Sequence, residues 1–162
     1  MRKASFLARL HDEKKLQIVE PSEEIKNAYL KRSDESLSSA KTLLKIGNLK
    51  DAVALAYYSM YHCLLALLFR TGIKCENHSA AIILLRKVFG IDNTSILKAK
   101  SERVDKQYYV DFEVSKKEVS DAIVVAEEFI SHITNFIETI REEELHIYRK
   151  KVTKLVKNNV LP

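Results

Sequence analysis

An all-α fold, an antiparallel up-and-down bundle of four to five helices, follows from three features of the sequence. Glycine occurs three times and proline twice in 162 residues, too little turn material for a series of hairpins. No segment sustains the period-two alternation of a half-buried strand. Between Asp51 and Arg70 the chain runs eighteen residues without a charge, flanked by amphipathic segments of similar length. Such a run is either a membrane span or the central helix of a bundle. Ser59, His62 and three tyrosines (Tyr57, Tyr58, Tyr61) lie within it and would be costly in hydrocarbon, so the reading is a buried central helix and no membrane partner.

The expected helices span about 22–46, 48–71, 77–89, 94–106 and 115 to about 156. Gly47, Gly72 and Gly90 each follow an apolar segment, where a residue with φ > 0 ends a helix. Ser22 precedes two glutamates suited to a helix start, and Ser115-Lys-Lys-Glu118 has capping-box spacing. Asn48, Asn77 and Asn93 are the caps expected between these. The last helix carries a stripe of Val119, Ile123, Ala126, Ile130, Ile133, Ile137 and Ile140. Residues 107–114 are aromatic and aperiodic and read as an ordered loop. Residues 1–21 form a basic N-terminal arm, 22–140 the bundle, and 141–162 a basic continuation of the last helix and a tail.

The net charge of +5 sits entirely on the two ends, because residues 22–140 contain sixteen basic and sixteen acidic side chains. Arg149, Lys150, Lys151, Lys154 and Lys157 make a basic stripe if the last helix reaches them, suited to a phosphate backbone or an acidic partner; the alternative is a solvated, solubilising tail. Cys63 and Cys75 form neither a C-x-x-C pair nor a zinc set, and they read as free thiols of a cytoplasmic protein. No metal or cofactor is expected. A P-loop, a dinucleotide-binding glycine pattern and an H-E-x-x-H are all absent from the sequence, so chemistry must come from side chains on helix faces and ends.

The densest polar cluster holds Arg103, Asp105, Tyr108, Tyr109 and Asp111 at a helix-to-loop transition. An arginine fork suits phosphate and a phenol face suits a nucleobase; the alternative is an internal ion pair of Arg103 with Asp105 or Asp111. His78, at a helix start, and His62, in the apolar run, are the histidines placed to join such a site. Each also has a structural reading, as a capping participant and a core histidine respectively.

Ala56-Tyr57-Tyr58-Ser59-Met60-Tyr61-His62 with Ala66-Leu67-Leu68, then Gly72, Asn77-His78, and Arg103 followed by Tyr108 and Asp111-Phe112, resembles the HEPN family. Within it, the subfamily with an Arg-x4-Tyr element ahead of the last helix is most similar. The resemblance covers about residues 22–140. It implies a helical bundle, a homodimer, and a minimal nucleotidyltransferase as partner in a toxin–antitoxin-like pair. Ribonuclease members use Arg-x4–6-His, one copy from each subunit. Arg103 matches the motif arginine, but four to seven residues on stand Gln107, Tyr108, Tyr109 and Val110, not histidine. An unperturbed tyrosine is a poor base near neutral pH. A formal Arg-x4-His at Arg141–His146 lies outside the matching region and is set aside as coincidence.

The resemblance therefore implies a nucleotide- or RNA-binding accessory protein, more a binding module than an enzyme, with Tyr108 or Tyr109 as a candidate adenylate acceptor. The alternatives are a metal-independent ribonuclease toxin using His78 or His62 with Arg103, and a non-catalytic dimeric scaffold whose contact is the basic end helix.

Overall fold

The computed structural model describes residues 5–108 and 113–157, and the side chains of residues 105–108 lie outside that description. In chain order the elements are α1 (Phe6–Asp12), β1 (Leu16–Ile18), α2 (Glu23–Ile46), α3 (Leu49–Arg70), β2 (Ile73–Cys75), α4 (His78–Phe89), α5 (Thr94–Tyr108), α6 (Lys116–Thr139), a 3-10 turn (Glu142–Glu144) and α7 (Leu145–Lys157).

The uncharged run is α3, and it is the centre of an all-α bundle. It is long and apolar enough to cross a membrane, yet fifteen of its 22 residues are buried by the other elements. α2 doubles back along it through the Gly47–Asn48 turn, and α5 and α6 pack on it from other sides. Burying apolar area on every side of one helix is the main source of stability in such a bundle.

Helix starts follow the capping residues. Ser22 Oγ accepts from Ile25 N at 3.1 Å, Asn77 Oδ1 from Ala80 N at 2.9 Å and Ser115 Oγ from Glu118 N at 3.1 Å. Two expected caps act differently. Asn48 makes no side-chain cap bond. Asn93 is buried and donates its amide to Ile82 O at 3.0 Å, tying α5 back to α4, while Asp92 accepts from Thr94 N at 2.8 Å in its place. α5 also runs on through Tyr108, so the first residues of the expected loop are helical.

The expected helix from 115 to 156 is two helices. α6 stops at Thr139, and Ile140 turns extended with φ −71° and ψ 123°. The cause is Arg70, only 8% exposed, whose guanidinium donates to Ile140 O at 3.1 Å and pairs with Glu23 at 3.3 Å and Glu142 at 3.2 Å. That carbonyl is therefore engaged by a side chain, and Glu144 N bonds to Arg141 O instead, one residue short of helical register. α7 turns away and packs against α1 and α4.

The N-terminal segment is docked. Leu7, Ala8 and Leu10 of α1 are buried, and β1 pairs antiparallel with β2 in the register Leu16↔Cys75, Gln17↔Lys74, Ile18↔Ile73. This two-stranded ribbon was not expected from the sequence, since three residues are too few to show a period. Both cysteines are buried and unpaired, and burial pushes the Cys63 thiol up to about 12.

Candidate functional site

Three helices deliver the site. α3 supplies Tyr57, Tyr58 and Tyr61 from its middle turns. The tight turn at Gly72 and the short β2 strand return the chain so that α4 begins, at His78, beside those rings. α5 then lays Arg103 over them. The Arg103 guanidinium carbon stands 5.3 Å from the centre of the Tyr57 ring and 5.5 Å from that of Tyr58, within cation–π range. Its Nη1 donates to the Tyr58 hydroxyl at 3.2 Å.

His78 is fixed by the same tyrosines. Its Nδ1 shares a 2.8 Å hydrogen bond with the Tyr57 hydroxyl, and its ring stacks on Tyr61 with centroids 3.8 Å apart and planes 17° off parallel. That leaves Nε2 as the ring's other hydrogen-bonding atom. Burial, then the charges of Arg103 and Lys100, hold the imidazole below its ordinary value, so it is neutral at pH 7. Lys100 lies one turn before Arg103 on α5 and donates to Ser79 Oγ at 2.8 Å. Arg103, Lys100 and the α4 N-terminus thus place positive potential at one half-buried corner, an arrangement suited to an anion. Beside it lies a slot of about 290 Å³ between α3, α5 and α6, lined by apolar α3 residues and Tyr57 together with Lys98, Glu102, Glu118 and Asp121.

The expected site residues divide accordingly. Arg103 and His78 meet through Tyr57 and Tyr58. The side chains of Asp105 and Tyr108, and Tyr109 and Asp111 entirely, lie outside the described residues. His62 faces α2, where its Nδ1 meets Ser36 Oγ at 3.3 Å and its ring stacks near Tyr29 and Tyr58. It touches the corner only at its edge, through the Tyr58 and Tyr61 rings. Arg141, of the discounted Arg-x4-His pair, is engaged by Glu143 and Glu144. The basic residues of α7 lie on a different surface, with Arg149 reaching Val19 O and Lys151 reaching Val88 O, both at 3.4 Å. Tyr57, Tyr58 and Lys100 were not singled out as site residues from sequence. The available signal was three phenols in an uncharged run, whose hydroxyls must find partners when buried.

His62 gives a pH prediction. Burial, then Arg32 and His78, lower its pKa to about 4 against an ordinary 6.5. The folded state therefore binds fewer protons than the unfolded one between those values. Its contribution is intact above pH 6.5 and is lost as pH falls toward 4. His62→Gln, measured by urea denaturation at pH 7 and pH 4.5, should reduce the acid destabilisation by ~1–2 kcal/mol after allowance for partial solvent screening.

Comparison with known proteins agrees with this architecture. A "UPF0332 protein PH1297" of Pyrococcus horikoshii is 43% identical over 63 residues, 39% of this chain and 42% of that protein. A "UPF0332 protein" of Thermotoga maritima is 29% identical over 126 residues, 74% of this chain and 96% of that protein. A protein of Methanocaldococcus jannaschii named "Putative toxin MJ0605" is 28% identical over 123 residues, 70% of this chain and 89% of that protein. The first match spans less than half of its relative, whereas the other two span nearly all of theirs. The family profile of the HEPN domain matches residues 27–137, from early α2 to the end of α6 and across the whole Arg103–His78 corner, and the chain belongs to the HEPN domain family.

Proposed function

We propose that this protein binds the phosphate of a nucleotide or single-stranded RNA at the Arg103–His78 corner. In this reading it works as a cytoplasmic homodimer paired with a minimal nucleotidyltransferase, as one half of a toxin–antitoxin-type system. The observation that carries the reading is the convergence of Arg103, Lys100 and the α4 N-terminus on a rigid floor formed by Tyr57, Tyr58 and Tyr61. Arginine offers phosphate a bidentate fork, and the neighbouring slot is close to the lower end of the ~300–1,000 Å³ typical of small-ligand clefts. Asp105, Tyr108, Tyr109 and Asp111 are the proposed contacts from the α5 end. The toxin name of the Methanocaldococcus relative is in keeping with the pairing. The test is fluorescence anisotropy with a labelled single-stranded RNA. Saturable micromolar binding is expected, and no binding at 1 mM protein would contradict the reading.

A second reading, a metal-independent ribonuclease, is favoured by one observation. His78 is neutral and oriented beside Arg103, and so supplies the proton-transfer group that the Arg-x4-Tyr element lacks. Its Nε2 would take the proton of a ribose 2′-hydroxyl as that oxygen attacks phosphorus. The P–O5′ bond would break, water would protonate O5′, and a 2′,3′-cyclic phosphate would result. Cleavage in EDTA that leaves cyclic-phosphate ends and vanishes in His78→Gln would establish this reading; intact RNA after prolonged incubation would dismiss it.

A further inference from the structure

The charge on α4 and α7 is all of one sign. These helices pack together, and they carry Arg86, Lys87, Arg149, Lys150, Lys151, Lys154 and Lys157 with no aspartate or glutamate between them. Two of the seven also bond to backbone carbonyls. Arg149 and Lys151 reach the Val19 and Val88 carbonyls, which anchors α7 to the ribbon and to the last turn of α4. The exposed side chains of Lys150 and Lys154 face solvent and, with Lys151, His146 and Ile147, line a hollow of about 300 Å³ with no carboxylate among its described lining residues. α4 connects this surface to the candidate site, since His78 begins the helix and Arg86 and Lys87 close it. Twelve residues of helix span ~18 Å, a distance covered by a few nucleotides of extended strand.

We propose that the Lys150–Lys154 hollow is a second phosphate contact for single-stranded RNA, so that a strand held at Arg103 crosses α4 and is tethered at α7. The proposal rests on the RNA-binding reading above. An acidic protein fits this surface less well, because protein interfaces need an apolar centre and the only large apolar side chain of α7 with high exposure is Ile147, at 46%. A polyanion without apolar demands matches a hollow lined by three lysines and a histidine.

The test is the salt dependence of binding of a labelled single-stranded RNA long enough to reach both ends of α4. Each phosphate contact contributes about −0.7 to the slope of log K against log salt. Lys150→Gln/Lys154→Gln should flatten the slope by ~1.4 and weaken binding ~25-fold at 0.1 M salt. Removing equal charge elsewhere, in Lys31→Gln/Lys45→Gln at exposed positions of α2, should change binding less than about twofold. All four sites are solvent-facing, and unchanged circular dichroism confirms folding. If the α7 pair binds RNA like wild type while Arg103→Ala binds poorly, the tether is refuted and the Arg103 site stands. If the α7 pair weakens binding and Arg103→Ala does not, the α7 contact stands and the Arg103 reading falls. Equal losses in the α7 and control pairs would mean a general field effect and would overturn the tether.

Discussion

Arg103→Ala should weaken binding of a short single-stranded RNA by ~10- to 100-fold and leave the fold intact. The size follows from removing a charged donor pair to phosphate, worth about 1.5–3 kcal/mol. Most of the floor beneath the guanidinium survives the substitution, because Tyr57 and Tyr61 are held by burial and by His78, while the Tyr58 hydroxyl loses its Arg103 donor. Arg103→Lys is the sharper companion. It keeps the charge, loses the planar fork and the stacking over Tyr57 and Tyr58, and should recover only part of the affinity. Full recovery would mean that a point charge suffices and that the aromatic floor plays no part in positioning. Equilibrium titration at fixed salt checks both variants.

The second large effect concerns stability. Gly72→Ala should destabilise the protein by about 3 kcal/mol, a fall of roughly 6–12 °C in Tm for a chain of this length. Gly72 has φ +77°, where a Cβ is strained by ~1–2 kcal/mol, and that Cβ would also sit 2.5 Å from Val19 O and 3.2 Å from the Pro21 ring. Relief requires the 19–21 segment to move. Val19 N donates to Gly72 O at 2.8 Å and Ser22 N to Phe69 O at 3.1 Å, so the movement also loosens β1 and the cap of α2. Gly47→Ala is the control. It has φ +83° with nothing within 4 Å, and it should lose only ~1 kcal/mol. Denaturant curves for the two variants, with limited proteolysis at Lys14–Lys15, separate steric displacement from backbone strain. Equal losses would show that the ribbon yields without penalty.

Much of this fold was legible because its signals are local. Ser22, Asn77 and Ser115 cap the helices they announce, and the uncharged run is the core helix. The misreadings involve partners distant in sequence. The stripe through Ile137 and Ile140 continues past the true end of α6, and the helix stops because Arg70, seventy residues earlier, takes the Ile140 carbonyl. A local hint existed in Glu142-Glu143-Glu144, three acids of the kind found at a helix N-terminus, where Arg141 N donates to the Glu144 carboxylate. β1 and β2 escaped because each is three residues long and each is explained only by the other. Half of the site was visible, as Arg103 and His78 separately. Their meeting was not, since it depends on how α4 and α5 pack against the tyrosines of α3.

The central claim is that Arg103 and His78 serve one anion site. NMR titration of the His78 imidazole, with and without a saturating 2′-O-methyl RNA that cannot be cleaved by attack of the 2′-oxygen, tests it most directly. A phosphate seated between the two groups stabilises the imidazolium, so the His78 pKa should rise on binding, and Arg103→Ala should diminish the rise at the same RNA concentration. An RNA complex in which the His78 titration is unchanged from that of the free protein would contradict the account.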